Sequence, residues 1–161
     1  MRAFFIAAAL LLGVAATAPA ADKYDGPRPP KKDLLYLVHA DNLVPTDAVD
    51  AQEDRKKDDV VASVPGSGAS ARTPLAEPVF IIETDKIQPE GLELYRFDVK
   101  NGRREVTLAQ KKRRGGQRPL RLTVTRLERG LYRVEASEIL ENGQYGISPS
   151  GSSRVFCFEV Y

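Results

Sequence analysis

The chain has 161 residues, with 24 Lys and Arg, 22 Asp and Glu, one His, one Cys and no Trp, and its formal net charge is +2. The length suits one domain, and 42% hydrophobic with 29% charged residues is the composition of a globular protein rather than a disordered chain. A single Cys excludes an internal disulfide framework, and one His with one Cys is too few for a zinc site of these ligands, so no metal or cofactor is expected.

The first twenty residues have the three parts of a secretory signal peptide. Arg2 is the positive start, residues 4–14 (FFIAAALLLGV) are the apolar stretch, and Ala18-Pro19-Ala20 matches the small-x-small pattern before a signal peptidase cut. A transmembrane anchor is the alternative, because charge is absent over residues 3–21, close to the roughly 20 residues that a span needs. The short apolar stretch favours cleavage, and no Cys follows it for lipid attachment. We therefore expect a periplasmic or secreted protein without a transmembrane span after cleavage.

Residues 21–32 are polar and contain Pro27, Pro29 and Pro30. Such a composition cannot continue a helix and packs poorly, which predicts a flexible tether. The folded domain is then expected to span residues 33–161.

Most of this domain alternates apolar and polar residues with a period of two, which predicts half-buried antiparallel strands. Asn101-Gly102 between two such segments is a strong hairpin signal. Eight or nine short strands are expected. The alternating segments are residues 95–100, 105–108, 120–125 and 132–136. Residues 34–39 and 79–84, which are rich in apolar and β-branched residues, and residues 154–160 are interpreted as further strands.

Residues 48–64 are ambiguous. Thr46 could cap a helix through Asp47 to Lys57, but that helix would have almost no apolar face. Two charged strands joined near residues 55–57 are the preferred interpretation. Residues 65–78 (PGSGASARTPLAEP) predict a long loop.

Residues 140–145 (LENGQY) have the form L-x-x-G-x-Y, with Leu140, Gly143 and Tyr145 at the defined positions. This motif resembles the tyrosine corner of immunoglobulin and fibronectin type III folds, in which a Tyr hydroxyl bonds to the backbone of the preceding connection. The resemblance implies an antiparallel β-sandwich with a Greek-key arrangement, and structural roles for these three residues.

The chain also resembles exported bacterial β-sandwich proteins of unknown function. The resemblance rests on residues 142–161, where a turn-Gly-x-Tyr strand precedes a terminal V-F-x-F-x-V strand, together with residues 39–46 and 72–78. It implies a sandwich and an envelope or secreted location, and it brings no activity and no catalytic residues. The Cys pair and buried Trp of antibody domains are missing, so no antibody-like role follows.

His39 is the only imidazole, and Asp41 lies on its side if the strand continues. No G-x-S-x-G motif supplies a nucleophile, so a polar residue at a strand end is the preferred interpretation of His39. A carboxylate cluster is interleaved with Arg55, Lys56 and Lys57, which indicates a solvated hairpin rather than paired catalytic acids. The cluster consists of Asp47, Asp50, Glu53, Asp54, Asp58 and Asp59.

Cys157 alternates with Phe156 and Phe158, so it faces the side of Val155 and is expected to be an inert buried thiol. A basic run between two predicted strands is the most unusual feature, and it offers an anion-binding site. The preferred interpretation is a charged loop that discourages edge pairing. The run comprises Lys111, Lys112, Arg113, Arg114 and Arg118.

These observations predict an exported, non-catalytic binding, adhesion or structural module of the bacterial envelope or extracellular space. Its loops at residues 65–78 and 109–118 are expected to meet the partner. The partner is expected to be an anionic envelope component or another envelope protein. Nucleic acid is not expected, since no aromatic residues interleave with the basic run. A secreted hydrolase using His39 and the acidic cluster is the alternative.

Overall fold

The computed structural model describes residues 23–56, 59–109 and 115–161, so the predicted signal peptide lies outside the described residues. The described part contains thirteen strands and one short 3-10 helix at Pro89–Gly91. The strands are β1 (Leu35–His39), β2 (Asn42–Pro45), β3 (Asp47–Asp50), β4 (Gln52–Lys56), β5 (Asp59–Pro65), β6 (Arg72–Thr73), β7 (Val79–Glu83), β8 (Leu92–Lys100), β9 (Arg103–Leu108), β10 (Leu122–Glu128), β11 (Leu131–Ala136), β12 (Gly143–Pro149) and β13 (Arg154–Val160).

The strands form two sheets. The five-stranded sheet has the order β10-β11-β7-β1-β2, and the eight-stranded sheet has the order β3-β13-β12-β8-β9-β5-β4. The two-residue strand β6 runs parallel to β13, and all other pairs are antiparallel. The prediction of an all-β antiparallel fold is confirmed. Residues 47–50 and 52–56 are strands rather than the alternative helix, because β3 and β4 satisfy their backbone groups by pairing with β13 and β5.

The hairpin predicted at Asn101-Gly102 joins β8 to β9. Both residues have positive φ, 51° and 72°, as a type I′ turn requires. The expected count of eight or nine strands is too low, because β2, β3 and β6 are short and carry few apolar residues to mark them.

One core lies between the two sheets. Phe80 on β7 packs edge-on against Phe158 on β13 with ring centroids 4.8 Å apart, and Tyr145 stacks on Phe158 at 5.5 Å. Leu35, Ile82 and other residues at alternate positions are fully buried there, which is the burial that period-two alternation predicts.

A second core lies on the other face of the eight-stranded sheet. β3 and β4 occupy opposite ends of its strand order, yet Ala51 alone separates them in the chain. The sheet therefore closes on itself, with residues 47–56 pairing first with β13 and then with β5. Phe97, Val106, Val155 and further apolar side chains fill the interior of this closed sheet.

Residues 23–32, here called the N-terminal strap, are the described part of the predicted tether. The backbone N–H of Tyr24 and the guanidinium of Arg28 both donate to the Glu128 carboxylate, at 2.8 and 2.7 Å. Pro29 is buried, and Lys32 pairs with Asp85 at 2.8 Å. The strap thus lies against the domain, because ion pairs hold a segment that has little apolar surface of its own. Among the described residues, no helix is long and apolar enough to cross a membrane.

Candidate ligand-binding cleft

The three residues of the L-x-x-G-x-Y motif lie together at the connection between β11 and β12. The Tyr145 hydroxyl donates to the Glu141 carbonyl at 2.7 Å, and its ring is buried. Burial raises the pKa of Tyr145, which keeps the phenol a neutral donor. Leu140 is also buried, while a Cβ at Gly143 would lie 3.3 Å from Arg96 Nε. This group of residues is therefore structural in character.

His39 and Asp41 do not share a strand face. His39 is the last residue of β1 and pairs with Asn42, so Ala40 and Asp41 form the turn into β2. Ala40 has a φ of 51° there. His39 is exposed to solvent. The chain reverses where the predicted histidine–carboxylate arrangement needs it to continue.

The acidic cluster is dispersed. Asp47 accepts hydrogen bonds from the backbone N–H of Ser70, at 2.7 Å, and from the Ser70 hydroxyl, whereas Asp50 lies at the exposed end of β3. Glu53 is the second residue of β4, and Asp58 lies outside the described residues. In the part of the chain that the structure describes, no group of His, Cys, Asp and Glu has a metal-binding arrangement.

The loops expected to meet a partner differ in character. Residues 65–78 are held down rather than displayed, because Gln144 accepts from the backbone N–H of Ala69 at 3.0 Å and β6 pairs with β13. They close one end of the closed sheet. Of the basic run, Lys111, Lys112, Arg113 and Arg114 lie outside the described residues, and Arg118 is exposed.

The other end of the closed sheet opens into a cleft of about 580 Å³. Its volume falls within the roughly 300–1,000 Å³ of small-molecule sites. It is lined by β12, β13 and the turn between them, by Ala51, and by β4, β5, β8 and β9. The lining residues are Ala51, Glu53, Ala62, Glu93, Tyr95, Phe97, Val106, Leu108, Gly146, Ser148, Pro149, Gly151, Ser152, Ser153 and Val155.

Gly146 shapes the apolar floor of the cleft. A Cβ at this position would lie 2.5 Å from the Phe97 ring and 2.6 Å from a Val155 methyl group. Any larger residue would therefore displace these side chains, which is the usual meaning of Gly inside a strand. The absence of a side chain at position 146 lets Phe97 and Val155 meet beneath the cleft.

The rim of the cleft carries a phenol and two carboxylates. The Tyr95 hydroxyl donates to Glu93 Oε2 at 3.0 Å. Burial, with the charge and the hydrogen bond of Glu93, raises the pKa of Tyr95 to about 12, so the phenol stays neutral. Glu53 pairs with Ala62 across the strands, lines the cleft and is exposed to solvent.

The Ser148 hydroxyl in the wall is already engaged by the turn. It donates to the Arg154 carbonyl at 2.9 Å, with the Ser152 carbonyl at 3.2 Å. This hydroxyl thus holds the β12–β13 turn.

Cys157 and Arg104 lie deep in the closed sheet, away from the cleft lining. Cys157 is fully buried, and burial raises the pKa of its thiol to about 11. Arg104 is 3% exposed and donates to the carbonyls of Gly66 and Pro65 at 3.1 and 2.9 Å. Its side chain ties the loop at residues 65–78 to β9.

No pattern in the sequence predicted the cleft. Glu93 and Tyr95 look like ordinary members of an alternating strand. Gly146 was the available signal, since Gly in the middle of a strand marks a close approach.

No family model, curated protein or solved structure matches this chain.

Proposed function

We propose that this chain is an exported, non-catalytic binding module that takes a small ligand into the cleft of the closed sheet. The cleft itself is the observation that carries the proposal: about 580 Å³, with an apolar floor and a polar rim, held by paired strands. Pre-formed clefts of this composition are the usual sites for small ligands. The module belongs to the bacterial envelope or the extracellular space, as the secretory pattern of residues 1–20 favours.

Strand order supports an immunoglobulin-like fold for this module. The order β1-β7-β11-β10 corresponds to A-B-E-D, and β9-β8-β12-β13 corresponds to C′-C-F-G. Tyr145 then lies near the start of strand F, as the tyrosine corner requires. In this interpretation residues 42–65 are an insertion that closes the second sheet and creates the cleft.

A binding role agrees better with the cleft than hydrolysis does. Tyr95 is a neutral donor, and the Ser148 hydroxyl is engaged by turn carbonyls. His39 lies at the β1–β2 turn and is not part of the cleft lining. The partner expected from sequence, an anionic envelope component at the basic run, remains a separate prediction.

The test is a screen of the purified chain against a mixed library of neutral, cationic and anionic small molecules by ligand-observed NMR. Backbone amide shifts then locate each hit. We expect hits that shift the amides of Glu93, Tyr95, Gly146 and Ser148. The variant Ser153→Trp places a bulky ring at the exposed rim and should abolish them. Since the chain has no Trp, this ring is also a unique fluorescent probe of the rim.

The matched control is Ser137→Trp, a substitution outside the cleft lining, which should leave the hits unchanged. A library without cleft hits, or hits that persist in Ser153→Trp, would contradict the proposed function.

A further inference from the structure

The charge of the cleft limits which ligands it can bind. The inference drawn from this charge rests on the proposed function. We infer that the cleft takes a small organic cation, an ammonium group carried on an apolar body. The ammonium lies at the rim between Glu53 and Glu93, and the apolar body lies on the floor formed by Phe97, Val106 and Val155.

Glu53 and Glu93 lie on opposite walls of the closed sheet. Glu53 is on β4 and Glu93 is on β8, and two strands separate β4 from β8 through β9 and β5. In the other direction, two strands separate β8 from the continuous segment of β3 and β4. The carboxylates therefore approach a ligand from opposite walls.

No Lys or Arg of the described residues lines the cleft. Arg55 follows Glu53 on the same face of β4, but it is exposed and lies beyond the lining. The rim thus has two formal negative charges without a lining cation, which favours a positively charged ligand and disfavours an anion.

The polar atoms of the rim act mainly as acceptors. The Tyr95 proton is committed to Glu93 and the Ser148 proton to a carbonyl, which leaves the phenol oxygen and the carboxylates to receive N–H donors. The Tyr95 ring adds an aromatic surface that attracts a cation. The N–H groups of an ammonium can donate hydrogen bonds to these acceptors. A carboxylate on the ligand has no proton to donate to them.

The floor requires an apolar body. Phe97, Val106 and Val155 are 5–6% exposed, and Leu108 packs against them. A phenyl or alkyl group can make apolar contacts with this lining, whereas a hydrated inorganic cation cannot.

The experiment compares three probes of similar size: phenethylamine as the cation, phenethyl alcohol as the neutral form and hydrocinnamate as the anion. Kd values are obtained from amide NMR titrations at low salt. We expect phenethylamine to bind about tenfold more tightly than phenethyl alcohol, and hydrocinnamate to bind most weakly. Glu53→Gln and Glu93→Gln should each weaken phenethylamine by about threefold to tenfold without weakening phenethyl alcohol.

Glu77→Gln is the matched control, because it removes the same charge from an exposed loop residue outside the cleft and should leave all three affinities unchanged. Equal affinity for amine and alcohol, or an amine affinity that neither Gln variant lowers, would overturn the assignment of a cation. The assignment of a cation would also be overturned if no probe shifts the amide signals of the cleft residues. The proposed function is judged separately, by whether any library compound binds in the cleft.

Discussion

Tyr145 links the segment between β11 and β12 to the core between the sheets. Its ring stacks on Phe158, and its hydroxyl satisfies the Glu141 carbonyl. We expect Tyr145→Phe to preserve the stacking and to leave that carbonyl without its donor. The expected loss is about 1–2 kcal/mol in the free energy of unfolding, measured by urea denaturation.

The control is Tyr36→Phe, a buried Tyr whose hydroxyl has no hydrogen bond with the described residues, which should cost less than about 0.5 kcal/mol. A Tyr145→Phe variant as stable as the wild type would show that the hydroxyl has no stabilising role in this connection.

At the residue scale, local motifs were predictable and the cleft was not. Asn101-Gly102 and the spacing of Leu140, Gly143 and Tyr145 are short-range patterns, and short-range physics determines what they do. Glu53 and Glu93 lie forty residues apart in the chain. Only the pairing of distant strands brings them to one rim, so no local pattern marks them.

The N-terminal strap is an element held mainly by ionised carboxylates. The Arg28 hydrogen bond, with that of the Tyr24 backbone, lowers the pKa of Glu128. The Lys32 hydrogen bond and charge likewise lower the pKa of Asp85. A carboxyl group with a depressed pKa stabilises docking above its ordinary pKa, and this stabilisation is lost as the pH falls through the depressed value.

We therefore expect the strap to detach in acid before the sheets unfold. Amide NMR of Tyr24, followed from about pH 7 to about pH 3, should show its signal move toward a random-coil position while Phe80 and Phe158 remain native. Glu128→Gln should detach the same residues already at neutral pH. Tyr24 signals that change only together with those of Phe80 would contradict this account of the strap.

At the element scale, the strands that bury a continuous apolar face were predictable. β7 is apolar from Val79 to Ile82, and β13 is apolar from Val155 to Phe158. β3 and β4 have no such run, and charge in residues 47–56 left a helix open as an alternative. Their strand character comes from β13 and β5, whose backbone groups they satisfy. Long-range pairing of this kind overrides local propensity.

At the scale of the whole molecule, the closed sheet depends on residues 47–56, which pair with both β13 and β5. Val49 pairs with Val155 on β13, and two positions after Ala51 the chain pairs Glu53 with Ala62 on β5. The backbone N–H of Ala51 donates to the Ser153 carbonyl at 2.7 Å, beside the cleft. Without this closure the sheet would have two free edges and the cleft would lose a wall.

The most direct test of the closed sheet is NMR of the isotope-labelled chain. Closure predicts cross-strand NOEs between Val49 and Val155 and between Glu53 and Ala62 in one and the same species, together with slow hydrogen exchange at the Ala51 amide. A species that shows only one of the two NOE sets, or an Ala51 amide that exchanges at the rate of an unprotected group, would contradict the closed sheet and the cleft that it forms.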